Sequence, residues 1–385
     1  MAMQTIGIGV AGLGRAFSLM APSFAADPRV RLVAAADPRP EALQRFRSDF
    51  SGTTYPSVEQ LCADRQVDVV YVATPHQFHA EHVRLAASHG KHALVEKPMA
   101  LALDECRSMI HAAREAGVRL VVGHSHSFDL PILETRRLIE SAQFGRVRMI
   151  TALNFTDFLY RPRRPEELDT PRGGGAVFNQ AAHQVDVVRM LAGARAISVR
   201  ALTGAWDATR PTEGAYSCLI NFEDASFATL VYSGYAHFDS DEFMHWIGEM
   251  GRKKDPTTHG RARTVLSSSD EQLLKNARNY GGSEFTEPAK AAFHQHFGPV
   301  IVSCERADLR PLPDRIEICD DAGRRSVPLA LPGIPRLEVI DELYDAVVEG
   351  KPPLHDGEWA AATLEMCLAI LRSSRESREI PLGNI

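Results

Sequence analysis

A chain of 385 residues with 44% apolar and 24% charged side chains has the composition of a globular protein, and its length allows more than one buried core. The formal net charge of -6 argues against a protein whose main task is gripping nucleic-acid phosphate. Its six cysteines are scattered without a CxxC pair, the start MAMQTIGIGVAGLG lacks a basic leader, and no apolar run reaches the ~20 residues of a membrane span. Free thiols, a cytoplasmic location and no membrane or nucleic-acid partner are therefore expected.

The first 123 residues alternate continuous apolar runs with amphipathic stretches. The runs Ile6–Ala11, Val30–Ala36, Val67–Ala73, His92–Val95 and Val118–Val122 predict strands buried on both faces. Between them, Arg15–Ala26, Pro40–Phe50, His79–His89 and Asp104–Ala116 carry helical period. That order predicts a doubly wound α/β domain with a parallel sheet. Beyond Val122, helices are expected at Pro131–Ser141 and Gly173–Ala192. Strands are expected at Val147–Phe158, Ile197–Trp206, Tyr216–Phe222, Ser226–Ala236 and Arg315–Cys319. Grouped strands predict an α+β domain with a large, mainly antiparallel open sheet. Residues Gly251–Lys290 are polar and read as a surface insertion with weak structure, and Leu337–Glu349 and Glu358–Arg372 return to helical period. The predicted division is a Rossmann domain over 1–123 and a substrate-binding and oligomerisation domain over 124–385, with terminal helices able to pack back on the first.

The segment IGIGVAGLGRAF runs a buried strand into Gly12-Leu13-Gly14 and then a helix. Gly12 permits the tight turn, and Gly14 lets backbone approach a pyrophosphate at the helix N-terminus, beside Arg15 and Ala16. The third glycine of the dinucleotide fingerprint is missing, because Phe17 stands there. Asp37 follows the strand RLVAAA, where a carboxylate accepts hydrogen bonds from ribose hydroxyls and repels a 2′-phosphate; NAD is favoured over NADP, although Arg39 stands close. As a structural alternative, Asp37-Pro38 is a turn before a helix.

Three further strings identify a resemblance: VATPHQFHAEHV (Val72–Val83), GKHALVEKPMA (Gly90–Ala100) and GGGAVFNQAAHQVD (Gly173–Asp186). Together with the glycine turn they resemble the glucose–fructose oxidoreductase and inositol dehydrogenase family, over nearly the whole chain. The resemblance implies that Lys97 of Glu96-Lys97-Pro98 lies beside the nicotinamide, with the Glu96–Lys97 bond at a sharp, sometimes cis, turn. It implies a site histidine at His183, and an aspartate four residues earlier where this chain has Asn179. An asparagine holds a hydroxyl but accepts no proton at neutral pH. Thr74, Pro75, His76, His79 and Glu96 are expected around the cofactor.

The chemistry of alcohol oxidation agrees. It needs a base for the hydroxyl proton, a task for a lysine tuned by burial or for a histidine. Lys97 stands at a strand end where ligands bind in doubly wound sheets; elsewhere a lysine is solvated by default. His183 has the alternative of being a satisfied core histidine. His76, His79 and His82 drift around a helix without a cysteine or carboxylate cluster, so no metal is expected.

The stretch TDFLYRPRRPEELDTPR places Tyr160, Arg161, Arg163, Arg164 and Arg172 before the His183 helix, and guanidiniums bind carboxylates in paired geometry. A solvated basic loop is the bland alternative. GVAGLGRAF, TDFLYRPRRPEELDT, FNQAAHQVD and FGPVIVSCERADLRP are similar to the phthalate dihydrodiol dehydrogenase branch of the family. That likeness implies oxidation of an anionic cis-dihydrodiol such as 4,5-dihydroxy-4,5-dihydrophthalate, by a homodimer or homotetramer. Competing expectations are a sugar or cyclitol dehydrogenase, a hydrolase or lyase using NAD without net redox change, and a non-catalytic NAD sensor.

Overall fold

The computed structural model describes residues 4–258, 261–266, 270–287 and 289–383. They form two compact units, each discontinuous in sequence. The first draws on Met1–His124, Gln272–Ala289 and Ile334–Leu364, and the second on Ser125–Glu271, Lys290–Gly333 and Glu365–Ile385.

In the first unit, strands β1 (Ile6–Ala11), β2 (Val30–Ala36), β3 (Thr53–Tyr55), β4 (Val69–Val72), β5 (His92–Val95) and β6 (Leu120–Val122) form a parallel sheet of order β3-β2-β1-β4-β5-β6. All six residues of β1 are buried, as a central strand covered on both faces requires. The intervening helices are α1 (Arg15–Ala26), α2 (Pro40–Phe50), α3 (Val58–Ala63), α4 (His79–Ser88) and α5 (Leu103–Glu115). This is the expected doubly wound architecture, and the reversal of strand order between β1 and β4 creates the crevice where such sheets bind ligands. Two elements escaped the sequence reading: β3 is three residues of half-polar chain, and α3 is barely more than one turn.

The second unit holds α6 (Leu130–Glu140), β7 (Val147–Phe155), α7 (Ala182–Ala192), β8 (Ala196–Gly204), β9 (Ala215–Phe222) and β10 (Phe227–Ser233). A short hairpin, β11 (Ile247–Gly248) and β12 (Arg252–Lys253), is followed by helix α8 (Arg261–Leu266). Strands β13 (Val300–Cys304), β14 (Ala307–Leu312), β15 (Arg315–Asp320), β16 (Gly323–Pro328) and β17 (Ile380–Pro381) complete a nine-stranded sheet among the described residues. Its order is β16-β15-β14-β13-β7-β10-β9-β8-β17, antiparallel except where β10 runs parallel to β7. Helices α6 and α7 pack on one face.

Gly251–Lys290 departs from the expectation of weak structure. It contains β12, α8 and α9 (Glu271–Arg278), and its later part packs in the first unit through Tyr280, only 3% exposed. Helices α10 (Leu337–Val347) and α11 (Gly357–Glu376) follow the predicted period. Arg29, paired with Asp27 and Asp341 at 2.6 Å each, ties α10 to the start of β2 within the first unit. No helix among the described residues is long and apolar enough to cross a membrane.

Candidate active site

The glycine turn sits at the end of β1. Gly12 has φ +94°, and a Cβ there would lie 2.8 Å from the Ala73 carbonyl oxygen, so no side chain fits. At Gly14 a Cβ would meet nothing within 4 Å: the backbone faces open space. Helix α1 starts at that point with no side-chain cap and no acidic residue in its first turn. A bare helix N-terminus behind a glycine cradle fits a pyrophosphate, and these residues, with Arg15 and Ala16, can hold one.

Asp37, one residue beyond β2, is buried and accepts the Leu13 N–H at 2.7 Å and the Arg39 N–H at 2.9 Å. The Arg39 guanidinium pairs with the same carboxylate at 3.0 Å and donates to the carbonyls of Leu13 (2.8 Å) and Tyr280 (3.2 Å). Arg39 is thus engaged by the aspartate whose preference it was expected to oppose.

Thr74 and Pro75 follow β4, and Thr74 Oγ1 lies 3.0 Å from His82 Nδ1. His79, expected near the cofactor, is fully buried, with its two ring nitrogens 2.9 Å from the Thr74 carbonyl and 3.0 Å from that of Pro98. Burial pushes its pKa down to about 4, so the ring is neutral and its single N–H donates to one of these two carbonyls. It has no exposed surface with which to touch a ligand. His76 lies beside it, ring centroids 5.6 Å apart.

Glu96, Lys97 and Pro98 follow β5. The cis peptide is Lys97–Pro98, one bond later than the resemblance implied; Gly123–His124 is also cis. Glu96 is buried and accepts a 2.5 Å hydrogen bond from Tyr71 Oη in β4. Burial raises its pKa, while the Tyr71 hydroxyl, the Arg336 and Lys97 charges and the His124 N–H work the other way. Tyr71 was not legible as a partner, because one tyrosine in an apolar strand reads as core.

In the second unit, the chain enters the His183 helix through Gly173 (φ +83°) and Gly175 (φ +82°). Asn179 Nδ2 donates to the carbonyls of both glycines, at 3.1 and 2.9 Å. Residues Val177–Ala181 form a π turn before α7, a widening that departs from the uniform helix expected over Gly173–Ala192. Glu213, unnoticed in the sequence, accepts the Val177 N–H at 2.9 Å and so closes the start of this helix.

His183 is 6% exposed, and its ring packs against His126 (centroids 4.8 Å) and Phe297 (4.9 Å). Beside it lies a charge network, buried at His126 and Asp129 and partly exposed at Glu249 and Arg161, that sequence spacing did not reveal. His126 Nδ1 is 2.6 Å from Asp129, and Nε2 is 3.6 Å from Glu249. Burial opposes charge on His126, but the two carboxylates outweigh it and lift its pKa to about 9. Burial likewise opposes charge on Glu249, yet His126 and Arg161 hold its carboxyl far below the usual range.

The arginines separate by environment. Arg161 is neutralised by Asp157 at 2.8 Å and Glu249 at 3.6 Å. Arg164 faces Glu166 and Glu167, and Arg172 is exposed. Tyr160 gives its hydroxyl to Asp207 at 2.6 Å and lies under the Arg263 guanidinium. Arg163 differs: its guanidinium lies 3.8 Å over the Phe158 ring and donates to the Phe158 carbonyl, while its carboxylate partner Glu167 stands off at 3.9 Å. Burial lowers its pKa to about 10, the sign of a cation short of compensating charge.

The parallel sheet of order β3-β2-β1-β4-β5-β6, with its glycine turn open at Gly14, is that of an NAD-binding oxidoreductase. The chain belongs to the Gfo/Idh/MocA family: residues 6–124 match its NAD-binding Rossmann-fold oxidoreductase domain, and residues 132–253 match its C-terminal domain. It is 49% identical, over 96% of its own length and 94% of the relative's, to 1-carboxy-3-chloro-3,4-dihydroxycyclohexa-1,5-diene dehydrogenase of Comamonas testosteroni. A dehydrogenase structure from Bordetella bronchiseptica shares 43% identity, covers 98% of this chain and 100% of its own, and superposes with a TM-score of 0.94. The WlbA dehydrogenase of Bordetella pertussis, solved with NADH and UDP-GlcNAcA, shares the fold at 22% identity and a TM-score of 0.69, covering 99% of both chains.

Proposed function

We propose that the protein oxidises a cis-dihydrodiol borne on a carboxylated, non-aromatic ring, such as 4,5-dihydroxy-4,5-dihydrophthalate, with NAD as oxidant. The observation that carries this reading is the largely enclosed, under-compensated guanidinium of Arg163, its side chain 11% exposed, on the unit that also bears His183. A substrate carboxylate would complete that charge, and the name of the Comamonas relative contains both the diol and the carboxylate.

Bound NAD supplies the hydride acceptor. Gly12, Gly14, Arg15 and Ala16 would hold its pyrophosphate and Asp37 its ribose hydroxyls, and Thr74, Pro75 and His76 would line the cofactor loop. Lys97 accepts the proton of the hydroxyl being oxidised as hydride leaves the same carbon. The resulting hydroxyketone tautomerises to an aromatic diol, which supplies driving force, so the protein's task is placement. His183 binds the diol, and Asn179, its nitrogen spent on two carbonyls, shapes the turn and transfers no proton.

The test is NADH formation with cis-dihydrodiol carboxylates, neutral cis-diols and polyols. Lys97→Ala should lower turnover by about 100-fold or more. Arg163→Met should reduce kcat/KM for the carboxylates by about 30-fold or more, consistent with about 2 kcal/mol or more for a buried charged contact, and leave neutral diols nearly unchanged. Arg172→Met, at an exposed position, should behave as wild type. Faster turnover of polyols than of any diol carboxylate would remove the proposal.

The uncovered face of the nine-stranded sheet supports self-association as part of this reading. Ile301, Thr151, Thr229 and Leu219 lie side by side across β13, β7, β10 and β9, with Met149 and Phe227 paired in a second row. Ile301 is 44% exposed, and Leu219, Met149 and Phe227 are exposed too. An apolar stripe on an open sheet suits a second copy of the same surface.

A further inference from the structure

Phe17 occupies the place of the third fingerprint glycine, and its fully buried ring does not merely fill core. With Phe46 and Phe50 of α2 it makes a socket, centroids 6.1 and 6.2 Å away, and Tyr280 enters it edge-on at 5.0 Å. The Tyr280 hydroxyl donates to Asp49 at 2.7 Å. Arg45, paired with Asp49, lies over the rings of Tyr280 and Phe285. The next residue, Gly281 (φ +78°), lies so close to α2 that a Cβ would stand 2.7 Å from Ala42 Cα. The segment is therefore seated by aromatic packing, a hydrogen bond and backbone contact. Its consequence reaches the ribose side of the turn, because the Tyr280 carbonyl accepts from Arg39.

We propose that Asn279–Phe285 is a cofactor-selecting strap: Tyr280, docked on Phe17, holds Arg39 in its ion pair with Asp37 and so excludes the 2′-phosphate of NADP. A guanidinium committed to a carboxylate and two carbonyls must lose those acceptors before it can meet a phosphate. The Tyr280 carbonyl and the Asp37 carboxylate also turn negative charge toward that position. The long insertion and the oversized residue at the fingerprint's third position thus form one device. It rests on Asp37 being the ribose residue.

Calorimetric titration of the full chain with NAD and with NADP tests this, alongside hydrogen exchange over residues 278–285. Tyr280→Ala, and Gly281→Val at a strained and crowded position, should speed exchange in the strap. They should narrow the NADP-to-NAD ratio of Kd by at least about fivefold, roughly 1 kcal/mol. Tyr280→Phe, which keeps the ring in its socket, should retain the wild-type ratio. An unchanged ratio in both disrupting variants overturns the strap, as does unaltered exchange in both. Asp37→Ala separates the two ideas: if it weakens NAD while the strap variants leave the ratio alone, the strap alone fails. If it leaves NAD affinity intact, the ribose assignment fails and the strap with it.

Discussion

At position 179 the choice between amide and carboxylate is set by two carbonyl oxygens. The Asn179 nitrogen donates to Gly173 and Gly175, each in a left-handed conformation that aims its carbonyl at the helix start. An aspartate there would press a carboxylate on those oxygens unless it were protonated. Asn179→Asp should therefore lose about 1–3 kcal/mol of stability at pH 7, the cost of a buried polar group without its partner. Urea midpoints should recover as pH falls and the new carboxyl takes up a proton; a midpoint equal to wild type at pH 7 would show that the turn does not depend on the amide. The sequence showed Asn179 to be a departure from its family, but the reason lies in carbonyl directions that no spacing reveals. Phe17 is similar: the missing glycine was legible, whereas the tyrosine it receives, 263 residues further on, was not.

Among the elements, strands with continuous apolar character were read nearly to the residue: β1, β2 and β5 match their predicted bounds. The strand β13 was missed despite its apolar run Val300-Ile301-Val302, whereas two others that escaped carry little apolar signal. Every residue of β16 is exposed, so alternation has nothing apolar to mark, and β14 mixes Asp308, Arg310 and Pro311 into its six residues. The turn Ser125–Asp129, with its short helical segment His126–Phe128, also looked unremarkable and carries the buried network beside α7. Its pH response follows from the shifts. His126 rises from 6.5 unfolded to about 9 folded, so its contribution is complete below about pH 6.5 and is lost as pH climbs through about 9. Glu249 is shifted downward, so its contribution is present above its ordinary value near 4.5 and disappears only under strong acid. Thermal unfolding should therefore show a plateau between about pH 5 and 6.5 and a decline toward pH 9. His126→Gln should flatten the alkaline decline, and an unflattened profile would place its origin elsewhere.

For the molecule as a whole, the sequence correctly gave a parallel Rossmann sheet followed by a large, mainly antiparallel one. The first unit runs to His124 and also takes in Gln272–Ala289 and Ile334–Leu364; a return of the terminal helices was among the expectations, whereas the return of the polar segment Gln272–Ala289 was not. Such returns are made by contacts between distant segments, as with Arg29 and Asp341, and periodicity records only near neighbours. The proposed self-association has its own test. Leu219→Glu together with Ile301→Glu adds charge at two exposed sites, where folding should be little affected, and should reduce the mass seen by light scattering to that of one chain. Unchanged mass would leave the sheet face without that role.

The ends of the nine-stranded sheet bear on what kind of assembly can form. One rim is β16, where Arg324 and Arg325 bond to Glu317 and Asp320 and the strand stops at Pro328. The other is β17, two residues long and ending in Pro381. Neither rim offers a long run of free backbone donors and acceptors for another chain to extend. In the proposed face-to-face association, growth would therefore stop at a closed assembly rather than continue by strand addition at these rims.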